Sequence, residues 1–445
     1  MDFNTFKNIV IEKCAEMGIE EYELYYQAGE STTVSAFQHE INEFTSANEG
    51  GVCFRCIVGG KMGYASTEAL NESTAGAIVE RAADNASVLE AEEPVFLCEG
   101  GKTYQQPTKL PYDLPATDVL IAKTLETQES MYAADPAVVD GTQTQGIAER
   151  SETAIYNSKG LDLHSVNTLS ALVAVAVIRS GEEMENEYEV KLGDVNTIDI
   201  PDLTGKLVAK TLTKLGSDVA PTGQYPVVFA PEAMCNLLAV YSSVFSSENA
   251  QKGLSKLAGQ EGQIIASECV TLVDDPFHPM SPMQHSFDAE GSPTYAKNLI
   301  EKGQFKTLLY NLKTANVSGV QTTGNASKAG YDSPVGIRPF TLCLQPGEVS
   351  KDELLRKAGS GVYINALEGL HAGANAVSGD FSLQSAGFLI EDGKLTKSVK
   401  SFTVAGNFYD LLKNITCVAS DLELPGMGRF GSPSVLAEGL SIAGK

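Results

Sequence analysis

The chain has 445 residues, enough for two or three domains with real cores, and it carries 57 Asp plus Glu against 32 Lys plus Arg, a formal charge of −25 at pH 7. Such a surface repels phosphate backbones and anionic headgroups, and no local basic run offsets it, so nucleic acid and membrane surfaces are excluded as expected partners. With 43% hydrophobic and 20% charged residues the composition is globular, and 41 glycines favour a turn-rich β architecture over a helical bundle.

The first residues, Met1-Asp2-Phe3-Asn4, lack the basic start and apolar run of a signal peptide. The longest apolar stretch, 171–178, falls short of the ~20 residues that span a bilayer, so a soluble cytoplasmic chain is expected. Residues 4–17 carry Phe6, Ile9, Val10 and Met17 at helical spacing and stop at Gly18. From 21 to 66 the pattern alternates, with breaks expected at Gly29, at Asn48-Glu49-Gly50-Gly51 and at Gly59-Gly60: a meander of antiparallel strands.

A helix is predicted over 66–89, a Pro-containing connector over 94–115, and a second helix over 117–133. Strands follow at 154–157, 161–164 and 170–178, then a helix near 202–215. This order predicts two sheet-bearing lobes within a first domain, 1–219, with Ala220-Pro221-Thr222-Gly223 opening a second, 220–445. The second half starts with a strand (225–230) and a helix (231–245), and continues into a β-rich tail with hairpins at 299–305 and 389–395. The class is α+β: helix-flanked antiparallel sheets, then a β-rich domain with few helices.

Five histidines are a small inventory for metal chemistry, and no two sit one helical turn apart. His39-Glu40 begins like a zincin motif, but Glu43 stands four residues after His39, in a strand-like run. His278 and His285, with Asp274, Asp275, Asp288 and Glu290 nearby, read either as a metal-binding loop or as a mobile surface loop. Cys53-Phe54-Arg55-Cys56 has redox spacing but lies in a strand, its two thiols on opposite faces. Gly426-Met427-Gly428-Arg429-Phe430-Gly431 matches a dinucleotide fingerprint without a following helix, and so reads as a turn. No catalytic residue emerges from spacing.

Several stretches in order resemble the TldD/PmbA proteins, once called modulators of DNA gyrase. They are Asn48–Val52, Gly60-Lys61-Met62-Gly63-Tyr64, Asn157-Ser158-Lys159-Gly160, Asp274-Asp275-Pro276, Phe287-Asp288-Ala289-Glu290-Gly291, Thr323-Gly324-Asn325-Ala326, Ser378-Gly379-Asp380-Phe381-Ser382 and Ala405-Gly406-Asn407. The resemblance implies an α+β fold and a proteolytic assembly in which a TldD-type chain holds zinc through His-Glu-x-x-x-His and a C-terminal Cys. In this chain Ala239, Val240, Val244 and Gly428 stand where those four residues would be. It therefore resembles the PmbA (TldE) type, without zinc or catalytic residues of its own. The partner implied is a TldD-type subunit or a second copy of the chain, and the substrate a peptide or unfolded segment. A homodimeric peptidase using His278 and His285, or a regulator of a partner such as gyrase, are the alternatives. Asn157, Ser158, Gly379, Asp380, Phe381 and Ser382 read either as lining of a peptide chamber or as plain turn and sheet residues.

Overall fold

The computed structural model describes residues 1–90 and 94–445. Helix α1 (Phe3–Met17) is capped by Asp2 and closed by Gly18 in the left-handed region. Strands β1 (Glu21–Phe37), β2 (Glu40–Val58) and β3 (Lys61–Thr67) form the meander, and α2 (Glu72–Val88) and α3 (Thr117–Ala134) follow. Strands β4 (Gln143–Asn157), β5 (Asp162–Ser180) and β6 (Glu183–Leu192) and helix α4 (Ile200–Leu212) complete the first half. The expected pair of sheets is one six-stranded sheet, ordered β3-β2-β1-β4-β5-β6. The β1–β4 ladder runs unbroken from Glu23–Asn157 to Phe37–Gln143, which is why the two lobes fuse.

Of the predicted breaks only Gly59-Gly60 is a turn, with φ of 59° and 77°. Gly29 pairs with Glu49 inside the β1–β2 ladder. A Cβ on Gly50 would lie 2.8 Å from the Ala28 Cα, and one on Gly51 would lie 2.6 Å from the Tyr331 ring. These two glycines admit a neighbour rather than bend the chain. The real hairpin turn is Gln38-His39, with φ of 49° and 67°, so His39 sits in the turn rather than in a strand. The helix predicted from residue 66 starts at Glu72, because β3 runs to Thr67 and Asn71 supplies the capping box.

Parity along the strands separates two faces. Leu24, Val52, Phe54 and Cys56 pack under α1 and α2, and Val34, Ala148 and Leu172 pack with Leu120 of α3. Tyr25, Cys53 and Ile155 point the other way, against Phe287, Leu312 and Tyr331 of the second half. The two cysteines of the CxxC thus lie on opposite faces, both buried and unpaired.

The second half runs β7 (Gly223–Phe229), α5 (Pro231–Tyr241), a 3₁₀ turn (Ser242–Phe245), α6 (Ser247–Gln251), β8 (Leu272–Asp274), β9 (Lys297–Glu301), β10 (Gln304–Phe305) and α7 (Leu312–Ser318). Next come β11 (Ala326–Ser327), β12 (Gly336–Ile337), β13 (Leu342–Leu344), α8 (Lys351–Ala358), β14 (Gly361–Glu368), α9 (Leu370–Gly373), β15 (Asp380–Glu391), β16 (Lys394–Asn407) and α10 (Phe408–Asn414). The chain ends with β17 (Ile415–Val418), β18 (Phe430–Gly431) and β19 (Val435–Ala443). Strands β16-β15-β14-β7-β19 close into a barrel through the β16–β19 pairing, and β17 is added on β19. A separate five-stranded sheet, β10-β9-β8-β13-β18, lies beside it. Both predicted hairpins are present, their turns Lys302-Gly303 and Asp392-Gly393 all at positive φ. The fold is α+β with a sheet-rich second half. Among the described residues no helix is long and apolar enough to cross a membrane.

Candidate functional site

Helix α5 is the element on which the resemblance places a zinc set, and its surroundings are hydrocarbon. Leu237, Leu238, Tyr241, Val244 and Phe245 are buried in the largest core cluster, and Val240 packs against it. Ala239 faces solvent. The α-helix ends at Tyr241 and Val244 belongs to the 3₁₀ turn, so Ala239 and Val244 do not share a face of one regular helix. Gly428 adopts φ +67°, and a Cβ there would meet the Pro282 ring at 2.6 Å. Two alkyl side chains, a methyl and a bare backbone offer no lone pair, so these positions do not fit a zinc ion.

The histidines of the 278–285 segment do not converge either. This segment is packed rather than a mobile surface loop: Gln284 accepts from the backbone N–H of Thr108 and of Lys109, at 2.7 and 3.1 Å. His278 is buried, and its Nδ1 accepts from the Met280 N–H at 3.3 Å. His285 lies against Phe340, ring centroids 4.9 Å apart. Burial, with Arg338 and Arg429 beside it, pushes its pKa down to about 4. Neighbours that repel a proton repel a metal cation for the same reason. Among the described residues no three His, Cys, Asp or Glu side chains are grouped for a metal.

The structure concentrates polar chemistry instead along the seam where the open face of the first sheet meets the second half. Glu23 and Arg55 are cross-strand partners on β1 and β2, 1% and 6% exposed. Arg55 Nε donates to Glu23 Oε1 at 2.8 Å, its Nη2 lies 2.7 Å from the same oxygen, and its Nη1 lies 3.9 Å from Glu290. Glu290 accepts from the Leu312 N–H that opens α7, at 2.8 Å. Burial raises the pKa of Glu23 against the pull of Arg55 and Asn157, and raises that of Glu290 against Arg55. Asp288 is tied by three backbone N–H groups, those of Glu290, Ser292 and Ala326, each at 2.9 Å. Burial and the neighbouring Glu290 raise its pKa as well.

Two clefts flank this buried charge. One, of about 720 Å³, is lined by Arg55, Met62, Tyr64, Phe96, Glu290 and Leu312. The other, of about 240 Å³, is lined by Tyr25, Gln27, His285, Lys328, Arg338 and Arg429 among others.

The predicted chamber residues fall in two separate places. Asn157 ends β4 in the seam: its Nδ2 donates to Glu23 Oε2 at 3.2 Å and to the Cys98 carbonyl at 2.9 Å, while its Oδ1 receives the Lys159 and Leu161 N–H groups. Ser158 receives the Tyr22 N–H on its hydroxyl at 3.0 Å. Both are thereby committed to holding the turn onto the sheet. Gly379–Ser382 lies in the barrel. There Gly379 has φ +85° with the Tyr409 ring close by, and Asp380 accepts from Asn407 Nδ2 at 2.8 Å. Phe381 is in the core and Ser382 is exposed. Neither group lines either cleft. Spacing alone missed Glu23 and Arg55. The signal for Asp288 and Glu290 was present, since Phe287-Asp288-Ala289-Glu290-Gly291 is one of the stretches that carry the resemblance.

Comparison with known proteins gives a consistent match. The PmbA/TldA metallopeptidase C-terminal domain matches residues 222–444, domain 1 of that family matches 22–86, and its central domain matches 110–215. A protein named Metalloprotease from Methanothermobacter thermautotrophicus is 28% identical over 418 residues, 91% of this chain and 89% of its own. The structure of a Thermotoga maritima MSB8 protein, named as a modulator of a DNA gyrase, superposes with TM-score 0.91 at 30% identity, covering 99% of this chain and 100% of that one. TldE from Thermococcus kodakarensis superposes with TM-score 0.88 at 26% identity over 98% and 99% of the two chains.

Proposed function

This chain belongs to the PmbA/TldA metallopeptidase family, and from that premise we propose that it is the zinc-free, PmbA-type subunit of a cytoplasmic peptidase. In this reading it pairs with a TldD-type chain that supplies the metal, and it shapes the space in which a peptide or unfolded segment is held. The observation that carries the reading is the donor set: Ala239, Val240, Val244 and Gly428 cannot bind a cation or activate water. The likeness to TldE over almost the whole of both chains supports it. The charge of −25 suits a peptide-handling surface better than a DNA-binding one.

The test is co-expression with a TldD-type chain, followed by elemental analysis and peptide hydrolysis. The expected result is a mixed complex whose zinc and hydrolytic activity both require the second chain. Stoichiometric zinc together with hydrolysis in this chain alone would overturn the assignment, and a stable homodimer that hydrolyses peptides would replace the mixed complex.

A further inference from the structure

We infer that the smaller cleft of the seam is a binding site for the carboxylate of a peptide, held by Arg338, Arg429 and Lys328 with Gln27 receiving an adjacent amide N–H. The inference rests on the peptide-handling role proposed above and adds to it the chemical class of group recognised.

Cations are scarce in this chain, 32 against 57 acids, yet three of them line one cleft of about 240 Å³. None of the three forms an ion pair among the described residues; Lys328 lies over the Tyr25 ring, its Nζ 5.1 Å from the centroid. Burial, with the positive Arg429 beside it, lowers the pKa of Arg338, an electrostatic cost that an incoming anion removes.

Each cation is positioned by backbone structure. Lys328 follows β11, and Arg338 follows β12, its paired strand. Asn325 fixes Arg338 from both sides, accepting its N–H at 3.2 Å and donating Nδ2 to its carbonyl at 3.1 Å. Asn325 is in turn held by the buried Asp274 at 2.7 Å. The Arg429 carbonyl accepts the Leu342 N–H at 2.9 Å, which sets it beside the same segment.

The acids that face the cleft do not neutralise it: Asp288 gives both oxygens to backbone N–H groups, and Glu149 stands exposed at the rim. Among the described residues the buried Gln27 Oε1 has no hydrogen-bond partner, an acceptor awaiting a donor. Phe287, Phe340 and Met427 add apolar lining for the side chain next to the carboxylate. Planar arginine forks match a carboxylate in two parallel hydrogen bonds.

The test is calorimetric titration of the full chain with three peptide probes, a hexapeptide with a free C-terminal carboxylate, its C-terminal amide, and that amide with one internal Glu, and with inorganic phosphate as a fourth. The variant is Arg338→Gln combined with Arg429→Gln; both side chains are exposed, so the fold is retained, and a circular-dichroism melt checks this. The expected result is a loss of at least about tenfold in affinity for the free acid, with the plain amide unchanged. A loss confined to the Glu-bearing amide also supports the site and places the carboxylate on a side chain. Equal affinities of parent and variant for all three probes overturn the site but leave the peptide-handling role standing. Binding of inorganic phosphate with no peptide bound overturns it in favour of a phosphate site. Absence of peptide binding both by the chain and by its complex with a zinc-bearing chain overturns the site and the role together.

Discussion

The surroundings of α5 and the seam between the two halves are chemical opposites. At α5 and the 3₁₀ turn after it, where the sequence resemblance would place a zinc set, the chain presents Leu237, Leu238, Val244 and Phe245 to a hydrocarbon core. At the seam it buries Glu23, Arg55 and Glu290 within contact of one another. Burying charge is costly, whereas filling a position with valine is not, so the seam is where a specific arrangement is maintained against its own solvation penalty. The lesson is that an apolar α5 region has not left the molecule chemically inert. Its polar machinery lies where the sheet face meets the loops of the second half.

The largest expected effect tests that contrast directly. Arg55→Met strips the counter-charge from Glu23 and Glu290 while keeping the volume, and should cost about 3–5 kcal/mol of unfolding free energy in denaturant titration. Adding Glu23→Gln to it should recover part of the loss, since the stranded charge is then removed. A cost below about 1 kcal/mol for Arg55→Met alone would break the comparison, because the seam would then be no more demanding than ordinary surface.

Placing a histidine on the 3₁₀ turn after α5 is the reciprocal test. Val244 is 1% exposed among apolar side chains, so Val244→His buries an imidazole without a hydrogen-bond partner and should cost about 3 kcal/mol. Zinc in the growth medium should return none of this, as measured by the melting temperature with and without the metal. Recovery by zinc would show that the position still belongs to a metal site.

Much of the architecture was legible in the sequence, for local reasons. Helix ends were marked by caps such as Gly18, and hairpins by the Lys302-Gly303 and Asp392-Gly393 pairs, features that act within a few residues. What escaped depends on distant partners. Gly50 and Gly51 look like turn residues until the close approach of Ala28 and Tyr331 is known. Strand β6 is hard to read because its alternation is inverted: Glu183, Glu185 and Glu187 take the more covered face, where Lys210, Lys214 and Lys400 pair them, while Met184 and Tyr188 are exposed. The seam is less legible still: Glu23 and Arg55 meet by strand pairing and Glu290 joins them from the other half, so no spacing rule connects the three.

A pH titration sharpens the comparison with a smaller effect. His285 is held neutral in the fold, its pKa pushed down to about 4 from an ordinary 6.5. The unfolded chain binds a proton there first, so the stabilisation is complete above pH 6.5 and is lost as pH falls through about 4. Between pH 7 and 4.5 His285 should account for about 2 kcal/mol of acid destabilisation. That share should vanish in His285→Gln when the two proteins are compared by denaturant midpoint at both values. An unchanged pH slope in the variant would mean that burial and the neighbouring Arg338 and Arg429 do not hold the imidazole neutral.

The smallest effect belongs to Ala239, and its smallness is informative. Its side chain faces solvent on α5, so Ala239→His should shift stability by less than about 0.5 kcal/mol, the usual range for an exposed helix position. Val244→His, on the 3₁₀ turn that follows the same helix, should cost several times more. That ratio is a property of this backbone: the helix changes pitch after Tyr241, turning the second position into the core while the first remains outside. If both substitutions were equally mild, the two positions would share an open face, and the segment would still be shaped to present two ligands together. A large difference, read from the same denaturation experiment, instead means that the two positions are not shaped to present ligands together.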